Sequence, residues 1–125
     1  MGAPTDLKYS NDHEWVRVEA DQATVGVSDY AQGQLGGLVF IELPSVGDAL
    51  IAGEAFGEVE SVKSVSELIA PVSGEIVEVN TALEGAPETI NNDPYGAGWI
   101  VKVALSEPAQ LDELLDADAY EQHIS

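Results

Sequence analysis

Short apolar runs, broken repeatedly by Gly, Pro, Asn and Asp, dominate the chain and predict a small all-β protein. Apolar and polar positions alternate through Trp15-Val16-Arg17-Val18-Glu19. Ala20-Asp21-Gln22 then supplies a turn and Ala23-Thr24-Val25-Gly26-Val27 a returning strand, so a hairpin is expected. The periodicity changes at Ser28. That residue suits a helix N-cap, Asp29 its first turn, Ala31 and Leu35 one shared face, and Gly36 the stop. The nearly continuous apolar run 37–43, ended by Pro44, predicts a strand buried on both faces or nearly so. Gly57-Glu58-Val59-Glu60-Ser61-Val62 and Gly74-Glu75-Ile76-Val77-Glu78-Val79 begin alike and suit two similar sheets, although the match is too short to define a repeat. Between them the pattern gives a strand, a tight turn near Lys63, a second strand and a corner at 71–74. The turn formers of 91–96 predict a loop, and 98–105 the last strand. In the tail, Ser106 is expected to cap a helix with Pro108 in its first turn and Leu111, Leu114 and Leu115 as its apolar stripe. Residues 118–123 predict a further helical turn. No linker interrupts the pattern, so residues 1–125 read as one domain, with a core over about 7–105 and a helical extension over 106–125.

Charge narrows the choice of partner. With 23 acids against 4 bases, the formal charge is −19. Such a chain repels nucleic acid and anionic membrane surfaces and favours basic protein surfaces. It has no cysteine, so any thiol chemistry must come from a prosthetic group or a partner. No apolar run approaches the ~18 residues needed to cross a bilayer. The start lacks the basic and apolar regions of a secretory signal, and Asp6 stands where a myristoylation motif needs Ser or Thr. The expectation is an intracellular protein, either in a bacterial cytoplasm or, as a processed chain, in a mitochondrial matrix.

Only three lysines are present, Lys8, Lys63 and Lys102. Lys63 falls at the predicted hairpin tip, and its neighbours Ser61, Val62, Ser64 and Val65 are short and uncharged. A long stem on an exposed turn can carry an acyl group by a stable amide and present it to other active sites. The same position also suits a plain solvated charge, and the residues by themselves leave both readings open.

The segment 60–80, Glu-Ser-Val-Lys-Ser-Val-Ser-Glu-Leu-Ile-Ala-Pro-Val-Ser-Gly-Glu-Ile-Val-Glu-Val-Asn, closely resembles the lipoylation segment of glycine cleavage H proteins. His13-Glu14-Trp15-Val16, the stretch from Val27 to Gly36, Val39-Phe40-Ile41-Glu42-Leu43-Pro44 with Gly47, Ile90-Asn91, Asp93-Pro94-Tyr95 and Gly98-Trp99 resemble the same family in the same order. The resemblance covers roughly residues 7–120. It implies a mostly β, lipoyl-domain-like barrel-sandwich hybrid of two antiparallel sheets, with short added helices and a helical C-terminal segment.

It also implies a carrier rather than an enzyme, with lipoate on Lys63. The implied partners are a pyridoxal-phosphate glycine decarboxylase that loads an aminomethyl group, a tetrahydrofolate-dependent aminomethyltransferase that removes it, a dihydrolipoyl dehydrogenase that reoxidises the arm, and lipoylating enzymes. A monomer suits a shuttle that must meet several surfaces in turn. Glu60 and Gly74 match family positions implicated in recognition by lipoylating enzymes, beside the plainer readings of a strand acid and a turn glycine. Glu14 matches a position near the cleft where the loaded arm docks, and a partly buried carboxylate there can pair with the arm's ammonium group. Ser66, Glu67 and Asp29 are weaker docking candidates. Gln34 stands where relatives carry His, so His-assisted docking is not carried over.

Other constellations are thinner. His13 and His123 are too few for a metal site, and His13 with Glu14 reads as a structural surface pair. Trp15 and Trp99 read as core or core-edge residues. A biotin carrier would place methionines beside its lysine, whereas Val62 and Ser64 flank Lys63; a 2-oxoacid dehydrogenase lipoyl domain would lack the His-Glu-Trp start. An unmodified acidic binding protein, a self-sufficient enzyme and an H-like protein that relays lipoate to other enzymes complete the alternatives.

Overall fold

The computed structural model describes residues 4–124. The sequence features read at Met1, Gly2 and Ala3, and the last residue of the extension, Ser125, lie outside the described residues. Among the described residues nine strands form two antiparallel sheets. The larger runs in the order β1 (Lys8–Tyr9), β2 (Glu14–Glu19), β3 (Gln22–Val27), β9 (Val101–Leu105), β8 (Gly74–Val79), β5 (Ala49–Leu50). The smaller is β4 (Leu38–Glu42), β6 (Ala55–Ser61), β7 (Val65–Ile69). Helix α1 (Asp29–Leu35) connects the two sheets, α2 (Ala82–Gly85) and α3 (Thr89–Asn92) precede β9, and a 3-10 helix (Pro108–Glu113) leads to α4 (Ala117–Ile124).

The alternating patterns fold as expected where one face meets the core. The first hairpin pairs Glu19 with Gln22, so its turn is two residues, Ala20-Asp21, and β3 begins one residue earlier than the sequence suggests. Ala20 takes φ 57 to close it. Ser28 caps α1, its Oγ accepting from the Ala31 N–H at 3.1 Å, and Gly36 ends the helix at φ 83, a backbone shape that favours glycine. Ala31 and Leu35 pack against the core as their spacing predicts.

Between the sheets, Val16, Val25, Ile76 and Val103 of the larger meet Ile41, Val59 and Leu68 of the smaller. Removing such a buried leucine down to Ala costs about 2–5 kcal/mol. The other face of the larger sheet holds a second cluster of Leu7, Tyr9, Trp15, Ala117 and Tyr120. Here Tyr9 and Tyr120 stack with centroids 4.5 Å apart, and Tyr9 exchanges backbone hydrogen bonds with Leu115. Trp15 is core and donates Nε1–H to the Pro94 carbonyl at 2.9 Å, and Trp99 packs at the edge of the same cluster.

Four local expectations are corrected. The apolar run 37–43 is not buried on both faces: Val39 and Phe40 are 56% and 49% exposed, because β4 is an edge strand with a bulge between Leu38 and Phe40. Residues 91–96 are not all loop, since α3 runs to Asn92. Asn91 turns inward there, Nδ2 donating to the Gly36 carbonyl and Oδ1 accepting from the Leu38 N–H. Ser106 caps nothing: the residue before the 3-10 helix is Glu107, without a side-chain cap. The two similar stretches do fall in different sheets, but those sheets have six and three strands rather than matching ones.

Candidate functional site

The β6–β7 hairpin carries the site. Its tip is Val62-Lys63-Ser64, held from inside by Ser61. The buried Ser61 hydroxyl accepts from the N–H groups of Lys63 at 3.3 Å and Ser64 at 3.1 Å, while the Ser61 N–H donates to the Ser64 carbonyl at 2.8 Å. A short hydroxyl that satisfies the turn's own backbone needs nothing from solvent or partner. Lys63 therefore stands on a fixed base, exposed at the tip as the pattern of short neighbours predicts. Its stem passes the end of α1: a Cβ built on Gly36 would lie 3.3 Å from Lys63 Cε. Among the described residues the one ion pair is Lys102–Glu78, so no carboxylate holds the Lys63 amine.

A cleft of about 340 Å³ opens beside the hairpin, between α1 and the edge of the smaller sheet. Val27, Ala31, Leu35, Val59 and Leu68 make its apolar lining, and Glu14, Ser66, Glu67, Gln34 and Tyr30 its polar one. Ser66 sits opposite Val59 across the hairpin, only three residues from Lys63, roughly 10 Å along the strand. Three of the sequence-predicted docking residues, Glu14, Ser66 and Glu67, thus meet in one cleft with Gln34. Asp29 does not line it; its Oδ1 accepts from Gln32 Nε2 at 2.8 Å on the outside of α1.

Glu14 is more deeply placed than a partly buried carboxylate. It is 2% exposed, accepting from the Ser10 hydroxyl at 2.7 Å and from the Ile69 N–H at 3.2 Å. The second bond ties β2 of the larger sheet to the end of β7 in the smaller. Burial pushes the Glu14 carboxyl up to about 8, outweighing the hydrogen bonds that favour its charge. His13 and Glu14 are not a surface pair. The chain turns at Ser10 and His13 takes φ 73; both residues line the cleft, Glu14 buried in its wall and His13 half-buried with Nδ1 meeting the Tyr120 hydroxyl at 3.0 Å. That hydroxyl also meets Ser28 Oγ at 2.6 Å, so α4 braces the cap of α1.

Glu60 and Gly74 are not brought together. Glu60 lies on the outer face of the smaller sheet, opposite Phe40 and Val65. Gly74 opens β8 in the larger sheet, and its reason is steric. A Cβ there would overlap the Ala104 carbonyl oxygen and stand 2.6 Å from Val103 Cγ1. The reading of Gly74 as an ordinary turn glycine is corrected accordingly: it lets β8 and β9 close. Sequence reasoning missed Ser10, Ser61 and Tyr120. Ser61 had a local signal, a hydroxyl two residues before the tip; the other two are joined to the site only by the fold. Among the described residues no group of three or more His, Asp or Glu is arranged for a metal.

An exposed lysine at a hairpin tip, in a two-sheet barrel-sandwich with a cleft beside it, suits a covalent-carrier module. The model of the glycine cleavage H-protein family matches residues 7–125. The glycine cleavage system H protein of Symbiobacterium thermophilum is 61% identical, over 94% of this chain and 92% of its own. That of Staphylococcus haemolyticus is 56% identical, over 99% and 98%. The crystal structure of a glycine cleavage system H protein from Mycobacterium marinum superposes with a TM-score of 0.89 at 47% identity, covering 97% of this chain and 98% of that one. The chain belongs to the glycine cleavage H-protein family, whose members carry lipoate and serve the glycine cleavage system as carriers, not catalysts.

Proposed function

We propose that Lys63 carries lipoate through an amide on its ε-amine, and that the chain moves the aminomethyl group of glycine from the decarboxylase to the aminomethyltransferase and electrons to dihydrolipoyl dehydrogenase. The observation that carries this reading is the exposed, unpaired Lys63 amine at the tip of a hairpin whose flank leads into the cleft. The residues fit the group. Short neighbours leave the amine open to a modifying enzyme, and the apolar lining of the cleft suits an acyl chain. When bound, lipoate supplies a disulfide ring on a flexible tether, which accepts the aminomethyl group and is later reoxidised.

The chain's own part is to hold, shield and release. Ser61 keeps the tip in one conformation, so the tether swings from a fixed point and its end samples nearby sites at high effective concentration. Val59, Leu68 and Leu35 exclude water from a docked arm. Glu14, Ser66 and Glu67 receive its charged end. With its carboxyl pushed up to about 8, Glu14 is mostly protonated at neutral pH in the empty cleft. An arriving ammonium favours the carboxylate, so docking draws the Glu14 proton out to solvent. Glu60 positions the hairpin for the lipoylating enzymes, and Gly74 serves them only by keeping the fold intact.

We read the chain as one domain that works as a monomer, and its bacterial relatives support a cytoplasmic location. The test uses the lipoylated chain with glycine decarboxylase and carbon-labelled glycine. Label is expected on the wild type and not on Lys63→Arg, which keeps the charge but cannot be acylated. A lipoylated wild type that takes up no label would overturn the reading.

A further inference from the structure

One hydroxyl joins side chains from three distant parts of the chain. Tyr120 of α4 meets Ser28 Oγ at 2.6 Å and His13 Nδ1 at 3.0 Å. Tyr120 and Ser28 are 1% and 0% exposed, so their protons turn to acceptors within the protein. Ser28 sets the order of donors. Its Oγ already accepts from the Ala31 N–H, and its other partner is Tyr120. The Ser28 proton therefore goes to the Tyr120 oxygen, and the Tyr120 proton to His13 Nδ1. Burial pushes the Tyr120 hydroxyl up to about 12, so it keeps that proton to give. A histidine that accepts at Nδ1 is the neutral imidazole with its proton on Nε2.

His13 lines the cleft together with Tyr30, Glu14 and Glu67. Between centroids, its ring lies 5.1 Å from Tyr30 of α1 and 5.7 Å from His123 of α4, and Asp12 precedes it in the chain. Burial first, then His123, holds the imidazole below its ordinary value of 6.5, against a smaller upward pull from Asp12. A second proton on His13 has two consequences. It puts a cation in the cleft wall, against the ammonium end of a docked arm. It also makes Nδ1 a donor, so the Tyr120 proton must swing to Ser28 Oγ, and the buried Ser28 proton loses its acceptor beneath the cap of α1.

We propose that Tyr120 is a positioning residue of the arm cleft: its hydroxyl holds His13 neutral, and protonation of His13 reverses the chain of donors and releases the loaded arm. The proposal deepens the docking reading above and rests on it. A released arm meets water. Its aminomethyl carbon then takes the oxygen of one water and leaves as formaldehyde, the C–S and C–N bonds breaking. The two protons of that water go to sulfur and nitrogen, giving thiol and ammonium ion with no change in redox state. Formaldehyde release thus reports on docking.

The test follows formaldehyde release from about pH 5 to pH 8 in the lipoylated chain, loaded by glycine decarboxylase, as wild type, Tyr120→Phe, Tyr9→Phe and His13→Gln. Tyr120→Phe keeps the stack on Tyr9 but gives His13 no proton. Tyr9→Phe removes the other hydroxyl of the same stacked pair, which donates to the Pro4 carbonyl. Glu14 titrates in all four chains, so its effect cancels in the comparison. Release from wild type should quicken as pH falls through the His13 titration. In Tyr120→Phe this limb should move to higher pH, making release about threefold faster than in wild type near pH 6. Tyr9→Phe should follow wild type, and His13→Gln, which takes up no proton, should lose the limb. Nitrogen NMR of the unloaded wild type should show His13 protonated at Nε2 and bare at Nδ1, with its titration displaced upward in Tyr120→Phe. A proton on Nδ1, a limb unmoved in Tyr120→Phe, or one moved as far in Tyr9→Phe overturns the proposal alone. A wild type that accepts no aminomethyl group brings down the carrier reading and the proposal with it.

Discussion

Burial governs Glu14 more than its hydrogen bonds do, and that has a direction in pH. Its carboxyl titrates near 8 in the fold against an ordinary value of 4.5. The folded chain therefore holds a proton that the unfolded chain has lost between those values, and stability from this group falls as pH rises through that window. Glu14→Gln should remove the slope: its stability relative to wild type should climb from pH 5 to pH 8 and level above. Parallel denaturation curves for both proteins across that range would contradict the assignment. At Gly74 the constraint is backbone contact with Ala104. Gly74→Ala should lose about 1–3 kcal/mol in chemical denaturation while the folded fraction is still acylated at Lys63. Folded protein that escapes acylation would restore a recognition role to this glycine.

At the level of elements, the legible parts were those whose pattern faces one neighbour. The capped helix α1, the β6–β7 hairpin and the β2–β3 hairpin each follow from alternation plus a capping or turn residue. The illegible parts depend on what lies across the fold. β4 has an apolar run like a central strand, yet its bulge and edge position turn Val39 and Phe40 outward. α3 reads as a loop because Asn91 and Asn92 favour turns, but Asn91 finds partners in Gly36 and Leu38 that only the tertiary structure supplies. Glu14, Ser66 and Glu67 were legible as a set from family resemblance, and the fold brings them to one cleft. The depth of Glu14 was not, because it needs the turn at His13. The hairpin tip gives a clean test. Ser61→Ala should free the amides of Lys63 and Ser64, speed their hydrogen exchange and cost about 1 kcal/mol. Unchanged exchange would remove Ser61 from the account.

Across the whole molecule, two apolar clusters back the two faces of the larger sheet. The second is closed by α4, far along the chain from the residues it covers. Tyr120 joins these layers by stacking on Tyr9 and by meeting Ser28 and His13, so the tail helps fix the helix that walls the cleft. Tyr120→Ala should cost about 3–5 kcal/mol, as removal of a buried aromatic does. The chain, at −19, is suited to partners of opposite charge. The proposed function then turns on which amine bears the group. Intact mass and peptide mapping of the chain, made in cells that synthesise lipoate, tests this most directly. One lipoyl amide on Lys63, absent from Lys63→Arg, is the predicted result; acylation at Lys8 or Lys102, or a chain left bare, would contradict it.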